Sequence, residues 1–262
     1  MCSSDLLKWK RNVESLSSFR ASPSCHATTL YIGGNNGYFY ALDTVQGNII
    51  GKYGLIRAGA VKSAATISAI HGRVIFSSGE GIVYALPLLE RLENEWKPVW
   101  TMDTSKEILG TPLMLKDMVI IGGGDGVVYA LEIASGRVVW KYTIGFPVVS
   151  SSVDGGESIY VTAYGYLYAI DKKDGHLIWR SNRMDNSIHG YLTTYHDKII
   201  VATDTRKIFV FSKAGKPLWN NRTTGVIKNA PAVGEKGVVY VACQEGWLYA
   251  FDIQDGNLRW KN

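Results

Sequence analysis

Three cysteines, five histidines and 23 acidic side chains are the residues of this 262-residue chain that could do covalent, metal or acid–base chemistry. Their spacing offers little of it. Cys25 and Cys243 are far apart, with no CxxC, no adjacent Cys pair and no Cys/His cluster at zinc spacing. Both read as small apolar residues of an interior rather than bridge partners or nucleophiles. His189 and His196 stand seven residues apart without a third ligand, so the pattern predicts no metal site. No Ser-His-Asp arrangement can be argued from spacing, and no catalytic residue is assigned. Gly122-Gly-Gly-Asp-Gly126 resembles a phosphate loop but lacks the Lys-Ser/Thr and a following helix, so it reads as a turn between strands. Asn221-Arg-Thr223 matches a glycosylation sequon, relevant only in a eukaryotic secretory setting.

The elements that would position these residues are short strands. Twenty-eight glycines, 15 tyrosines and eight tryptophans stand beside only seven prolines, in a chain that is 46% hydrophobic. No apolar run reaches the roughly 18 residues a membrane-spanning helix needs. The net charge is +5, and its densest basic stretch runs from Arg206 to Lys228 through Lys207, Lys213, Lys216 and Arg222. Without regular spacing or an aromatic platform motif it reads as a solvated face, not a nucleic-acid surface. Residues 1–6, MCSSDL, are what a common sequencing-adapter end encodes when read from a GTG start. They are expected to be an assembly artefact, with the true gene starting upstream and Cys2 not native. A genuine N-terminus is the alternative.

One unit recurs six times. Gly37–Asp43 (GYFYALD), Gly81–Pro87 (GIVYALP), Gly126–Glu132 (GVVYALE), Gly165–Asp171 (GYLYAID), Arg206–Ser212 (RKIFVFS) and Gly246–Asp252 (GWLYAFD) open the copies. Each leads through a turn to a strand carrying Trp100, Trp140, Trp179, Trp219 or Trp260, at spacings of 40, 39, 40 and 41 residues. The first copy has Gly51 in place of Trp. Before each cassette come a segment of small residues, such as Ala21-Ser-Pro-Ser24 or Gly110-Thr-Pro-Leu113, and a short apolar strand, such as Met118-Val-Ile-Ile121. Four strands per unit of about 40 residues predict an all-β propeller of four-stranded antiparallel blades. Alternation sends Tyr129 and Leu131 to one face and Val128 and Ala130 to the other. Glycines such as Gly136, Gly175 and Gly256 suit the tight turn, and acids such as Asp171 and Asp252 can accept its backbone N–H groups. A buried Trp contributes roughly 4–6 kcal/mol as an upper bound, which gives Trp a structural docking role between blades.

The pattern Ala-x-Asp-x-x-x-Gly-x-x-x-Trp resembles the tryptophan-docking motif of quinoprotein-type, or PQQ-like, repeats. It fits fully at Ala169-Asp171-Gly175-Trp179 and Ala250-Asp252-Gly256-Trp260, and with Glu132 for Asp at Ala130-Gly136-Trp140. The fifth copy departs with Val210 and Ser212, and the second with Pro87 and an insertion before Trp100. The resemblance covers nearly everything beyond residue 18. It implies a location outside the cytoplasm, in the periplasm or cell envelope. It also implies a non-catalytic scaffold for protein–protein interaction, as in the members that assist outer-membrane assembly. The alternatives are a fragment of a quinone-dependent alcohol or sugar dehydrogenase, which would bring PQQ and calcium, or a ligand-sensing domain of a larger protein. Dehydrogenases of the family add an adjacent Cys-Cys pair, a metal held by Glu and Asn, and a catalytic Asp. No Cys-Cys occurs here and no such acidic/Asn cluster could be matched, so no cofactor is expected.

The blades are expected at about 19–55, 58–103, 108–143, 146–182, 187–222 and 226–262, with 7–18 forming the outer strand of a preceding blade and a linker. Leu7-Lys-Trp-Lys10 matches Leu258-Arg-Trp-Lys261, so the chain reads as part of a seven- or eight-bladed ring; a complete six-bladed ring with a spare strand is the alternative. An axial mouth would carry Lys62, Lys106, His189, Lys228 and Asn229 on the loops entering the innermost strands. The turns there would add Asn35, Asn36, Glu80, Asp125, Tyr164 and Glu245. These could hold an anionic ligand or a partner peptide, or simply be solvated. Pro87 to Pro98 (PLLERLENEWKP) is an insertion with Leu88, Leu89, Leu92 and Trp96 at near-helical spacing. It is expected either to dock a protein partner or to form a short helix capping its own blade.

Overall fold

The computed structural model describes residues 8–13 and 18–262. The readings made on Met1–Leu6 and Leu7 lie outside them. Each cassette becomes the third strand of a four-stranded antiparallel sheet, and the described residues hold six such sheets. In the first, Ser24–His26, Thr29–Gly33, Tyr38–Asp43 and Ile49–Gly54 pair in chain order. The fifth pairs just as fully despite its degenerate cassette, through Gly190–Tyr195, Lys198–Thr203, Lys207–Ser212 and Pro217–Arg222. Strand propensity and alternation survive in Lys-Ile-Phe-Val-Phe-Ser, and those are what the ladder requires.

Two expectations shift. The small, proline-bearing segments mostly precede the innermost strands, which begin at Ser24, Leu113, Val153 and Ala232. Proline has no N–H for a ladder, so pairing starts after it. Cys25 is exposed on its three-residue strand, whereas Cys243 is buried.

The chain divides into two compact units. The first runs to Asp125 and includes Ala130–Val139; the second comprises Gly126–Tyr129 and Trp140–Asn262. In the first, Phe39 stacks on Phe76 at 3.7 Å and Phe76 on Tyr84 at 5.1 Å, between centroids. In the second, Tyr160, Leu167 and Val201 form one cluster, and Ile208, Val239 and Phe251 another. Residues 82–86 are buried in succession, so alternation does not leave a wet face there. Both faces of a middle strand are covered, as in a stack of sheets. The outer strand of the third sheet alternates from its second residue: Val139 and Lys141 are exposed while Trp140 between them is buried.

A bulge sits beside the docking tryptophan. Ala169 pairs with Trp179, yet Ile170 pairs with Leu177, skipping one residue; the first, fifth and sixth sheets show the same shift. An extra residue bends the strand and re-aims the side chain next to it.

Candidate functional site

Tryptophan docking follows one geometry. The indole Nε1 of Trp100 donates to the carbonyl of Ile133 at 2.8 Å, and Trp140 to that of Lys172 at 3.1 Å. Trp179 donates to Lys213 at 3.1 Å, and Trp219 to Ile253 at 2.9 Å. Each acceptor follows the acid position of the next cassette, so each ring reaches one blade forward. The turn glycine of that cassette lies under the ring: a Cβ added to Gly136, Gly175, Gly215 or Gly256 would stand 2.5–2.8 Å from an indole carbon. Trp9 makes the same contact with Gly47 and donates to Thr44 at 3.0 Å, although Lys8–Val13 form no strand. Trp260 has no such glycine among the described residues and is 43% exposed.

The first blade lacks its tryptophan, and the insertion fills the space. Gly51 pairs with Ala41, the register position that Trp100, Trp179, Trp219 and Trp260 hold in their sheets. A Cβ on Gly51 would meet the Leu89 methyl and stand 2.9 Å from the Trp96 ring. Trp96 is 4% exposed, lies 5.8 Å from Phe39 and 6.1 Å from Tyr31 between centroids, and donates to Pro87 at 2.8 Å. Thr29 Oγ1 donates to the Leu89 carbonyl, the Leu89 N–H to the Tyr31 hydroxyl, and the Glu93 N–H to the Ile50 carbonyl. Residues 88–98 contain no helix. The near-helical apolar spacing instead reflects a loop that buries Leu89 and Trp96 against the first blade while Leu92 stays 65% exposed.

The five loop residues proposed for the mouth all lie outside strands. Lys62 is 3.8 Å from Glu107, and Lys106 packs its backbone on Gly81. His189 stacks on Tyr191 at 6.4 Å, and its N–H donates to Asp204 at 3.4 Å. Lys228 and Asn229 are exposed. Among the turn residues, Asn35 donates to Ser18 and Asn36 to the Tyr40 hydroxyl, both at 2.7 Å. Glu245 accepts from the Val226 N–H at 3.4 Å. Tyr164 belongs to a group that spacing did not reveal. It stacks on Phe146 at 4.7 Å, with the Arg183 guanidinium 4.5 Å from its ring centroid. Phe146 and Arg183 sit in loops between repeats, where no cassette position marks them.

The acids of the cassettes serve the turns. Asp43 accepts the N–H groups of Gln46, Asn48 and Val45 at 2.6–3.0 Å, which holds its carboxyl below the usual range. Asp252 is lowered by Arg259 and by the Gln254 N–H, and Glu132 by Ser135 and Arg137. Asp185 lies low because its bonds to Ser187, Thr205 and Thr203 outweigh the burial that opposes them. A depressed folded value contributes stability that is complete above the unfolded pKa of about 3.9 and is lost as pH falls through the folded values. We expect a flat melting temperature from about pH 7 to pH 5 and a steep fall below about pH 4. Asp43→Asn should flatten that acid limb; an unchanged profile in thermal melts across pH would contradict this. Asp171, Asp174 and His176 cluster in the same kind of turn. Their oxygens take the Lys173 and His176 N–H groups and the His176 ring.

Six four-stranded antiparallel sheets with tryptophan-on-glycine docking define a β-propeller of quinoprotein-type repeats. Residues 94–152 and 147–262, more than half the chain, match the family described as outer membrane protein assembly factor BamB, and the chain belongs to that family. Outer membrane protein assembly factor BamB of Yersinia pestis is 23% identical over 244 residues, covering 87% of this chain and 59% of that protein. The chain thus spans little more than half of that relative, and 41% of its counterpart in Legionella pneumophila, which is 26% identical over 166 residues. The crystal structure of BamB from Moraxella catarrhalis superposes with a TM-score of 0.80 at 23% identity, over 97% of this chain and 76% of that one. The same propeller fold carries catalysis elsewhere. A quinohemoprotein alcohol dehydrogenase from Pseudomonas putida HK5 superposes with a TM-score of 0.78 at 14% identity, over 98% and 62%. Among the described residues, Cys25 and Cys243 are free thiols.

Proposed function

We propose that this protein is a non-catalytic propeller scaffold of outer-membrane protein assembly, acting outside the cytoplasm by holding another assembly subunit. The observation that carries this reading is the family match over residues 94–152 and 147–262. Local geometry supports it. The chemistry-bearing residues of the cassettes are consumed by turns and blade docking, while the polar loops stay open to a partner. Lys62, Lys106, His189, Lys228 and Asn229 are the contact residues proposed on those loops. The insertion can add only its exposed rim, Glu90–Glu95 and Lys97, since Leu89 and Trp96 are buried.

Photo-crosslinking residues placed at Lys106, His189, Lys228 and Leu92 test this in a Gram-negative periplasm. At least one position should capture a subunit of the outer-membrane assembly machinery, and charge reversal of the neighbouring loop residues should abolish the adduct. Dye reduction with an alcohol or sugar after adding quinone and calcium would instead make the protein an enzyme and overturn the reading.

A further inference from the structure

One position of the cassette is broken in a way that opens a cleft. Five copies begin with Gly37, Gly81, Gly126, Gly165 and Gly246; the fifth begins with Arg206. All six are left-handed, with φ of 77–84° at the glycines and 67° at Arg206. In four copies the chain after the fourth strand folds onto the glycine. A Cβ there would come within 3.0 Å of the backbone of Ala58, Lys106, Phe146 or Asp185. Glycine lets that loop close, and a side chain forbids it.

The fifth blade keeps the backbone tie of its siblings. The Thr223 N–H donates to Arg206 O at 2.8 Å, as Leu55 does to Gly37 and Thr104 to Gly81. Above it remains an open cleft of about 770 Å³ lined by Thr205, Arg206, Arg222, Thr223 and Thr224. Neither guanidinium has an ion-pair partner among the described residues. Lys261 stands at the edge of the cleft, its Nζ 3.5 Å from Thr224 Oγ1 and 3.8 Å from the Trp247 ring centroid. Two carboxylates border this turn, and Asp204 Oδ1 is buried without a hydrogen-bond partner among the described residues. Asp185 accepts from Thr203, Thr205 and the Ser187 N–H, and Asp204 from the His189 N–H.

An arginine held in the left-handed region is strained relative to glycine, and every sibling shows that glycine suits the fold. We infer that this cleft binds a ligand carrying two or more closely spaced oxyanions, phosphoryl or carboxylate, gripped by Arg206 and Arg222 with Lys261 beside them. Guanidinium forks match both groups in geometry and charge. The inference is independent of the assembly role and stands or falls separately.

Isothermal titration of the full chain at low salt tests it, with sodium pyrophosphate and a hexa-aspartate peptide as separate probes. At least one should bind, and Arg206→Gly and Arg222→Gln should each weaken it about tenfold or more. Pyrophosphate alone would assign a phosphoryl ligand, and the peptide alone a carboxylate-bearing one. Arg206→Gly should also raise the melting temperature by roughly 2–4 °C, which separates loss of binding from loss of folding. Lys216→Ala, an exposed cation outside the cleft, should bind like the parent. No binding of either probe, equal binding by both arginine variants and the parent, or an equal loss in Lys216→Ala would overturn the inference.

Discussion

Trp96→Ala should destabilise the protein by about 3–5 kcal/mol, the range for emptying an aromatic site in a closed core. The ring is 4% exposed and lies beside Phe39, Tyr31 and the bare face of Gly51. Leu92→Ala, only a few residues away but 65% exposed, should change stability by no more than about 0.5 kcal/mol. Urea unfolding of the two variants measures the contrast. A sharper version exchanges the two occupants of the space. Gly51→Trp alone forces a second indole onto Leu89 and Trp96 and should cost about 2 kcal/mol or more. Combined with Trp96→Gly, it restores a ring at the register position that four other blades use, and the pair should recover part of the loss. Strict additivity in that cycle would mean the two residues do not share a site. The insertion then has a mechanical role: the second blade supplies the tryptophan that packs on Gly51 of the first.

Legibility in the sequence tracked how far each feature repeats. Six cassettes at near-constant spacing made strands, turns and docking tryptophans readable, because each copy corroborated the others. Even the missing tryptophan at Gly51 was visible as a gap. What filled it was not, because Leu89 and Trp96 occur in one blade only and their apolar spacing mimics a helix face. Burial separates the cases: a helix would have placed Leu92 with Leu89 and Trp96, whereas the loop turns Leu92 outward. The bulge beside Trp179, Trp219 and Trp260 was also hidden, since one skipped residue, as between Ile170 and Leu177, leaves no mark on composition. Among loop residues, Lys62, Lys106, His189, Lys228 and Asn229 could be placed outside strands but not given partners. Loop geometry depends on contacts between repeats, and periodicity is silent there. Arg206 was the exception in principle. Its departure from glycine stood in the alignment of the chain with itself, but only the packing of Ala58, Lys106, Phe146 and Asp185 on the sibling glycines showed what the departure opens.

The docking pair Trp140 and Gly175 provides the second large effect. Trp140 is 7% exposed, hydrogen-bonded to the Lys172 carbonyl, and seated on Gly175, which lies at a φ of 79°. Trp140→Ala should cost about 3–5 kcal/mol. Gly175→Ala should cost about 2–4 kcal/mol, because it combines left-handed strain with a Cβ 2.5 Å from the indole. The double variant should cost about 1–2 kcal/mol less than the sum, since removing the ring relieves the collision but leaves the backbone strain. Trp260→Ala is the internal control: with its ring 43% exposed and no glycine beneath it among the described residues, it should cost about 1 kcal/mol or less. Equal losses at Trp140 and Trp260 would show that the contacts both rings make within their own blades carry the effect. The predicted inequality assigns its contribution to the turn of the following blade, which makes every Trp–Gly pair a junction and explains why the repeat keeps both residues together.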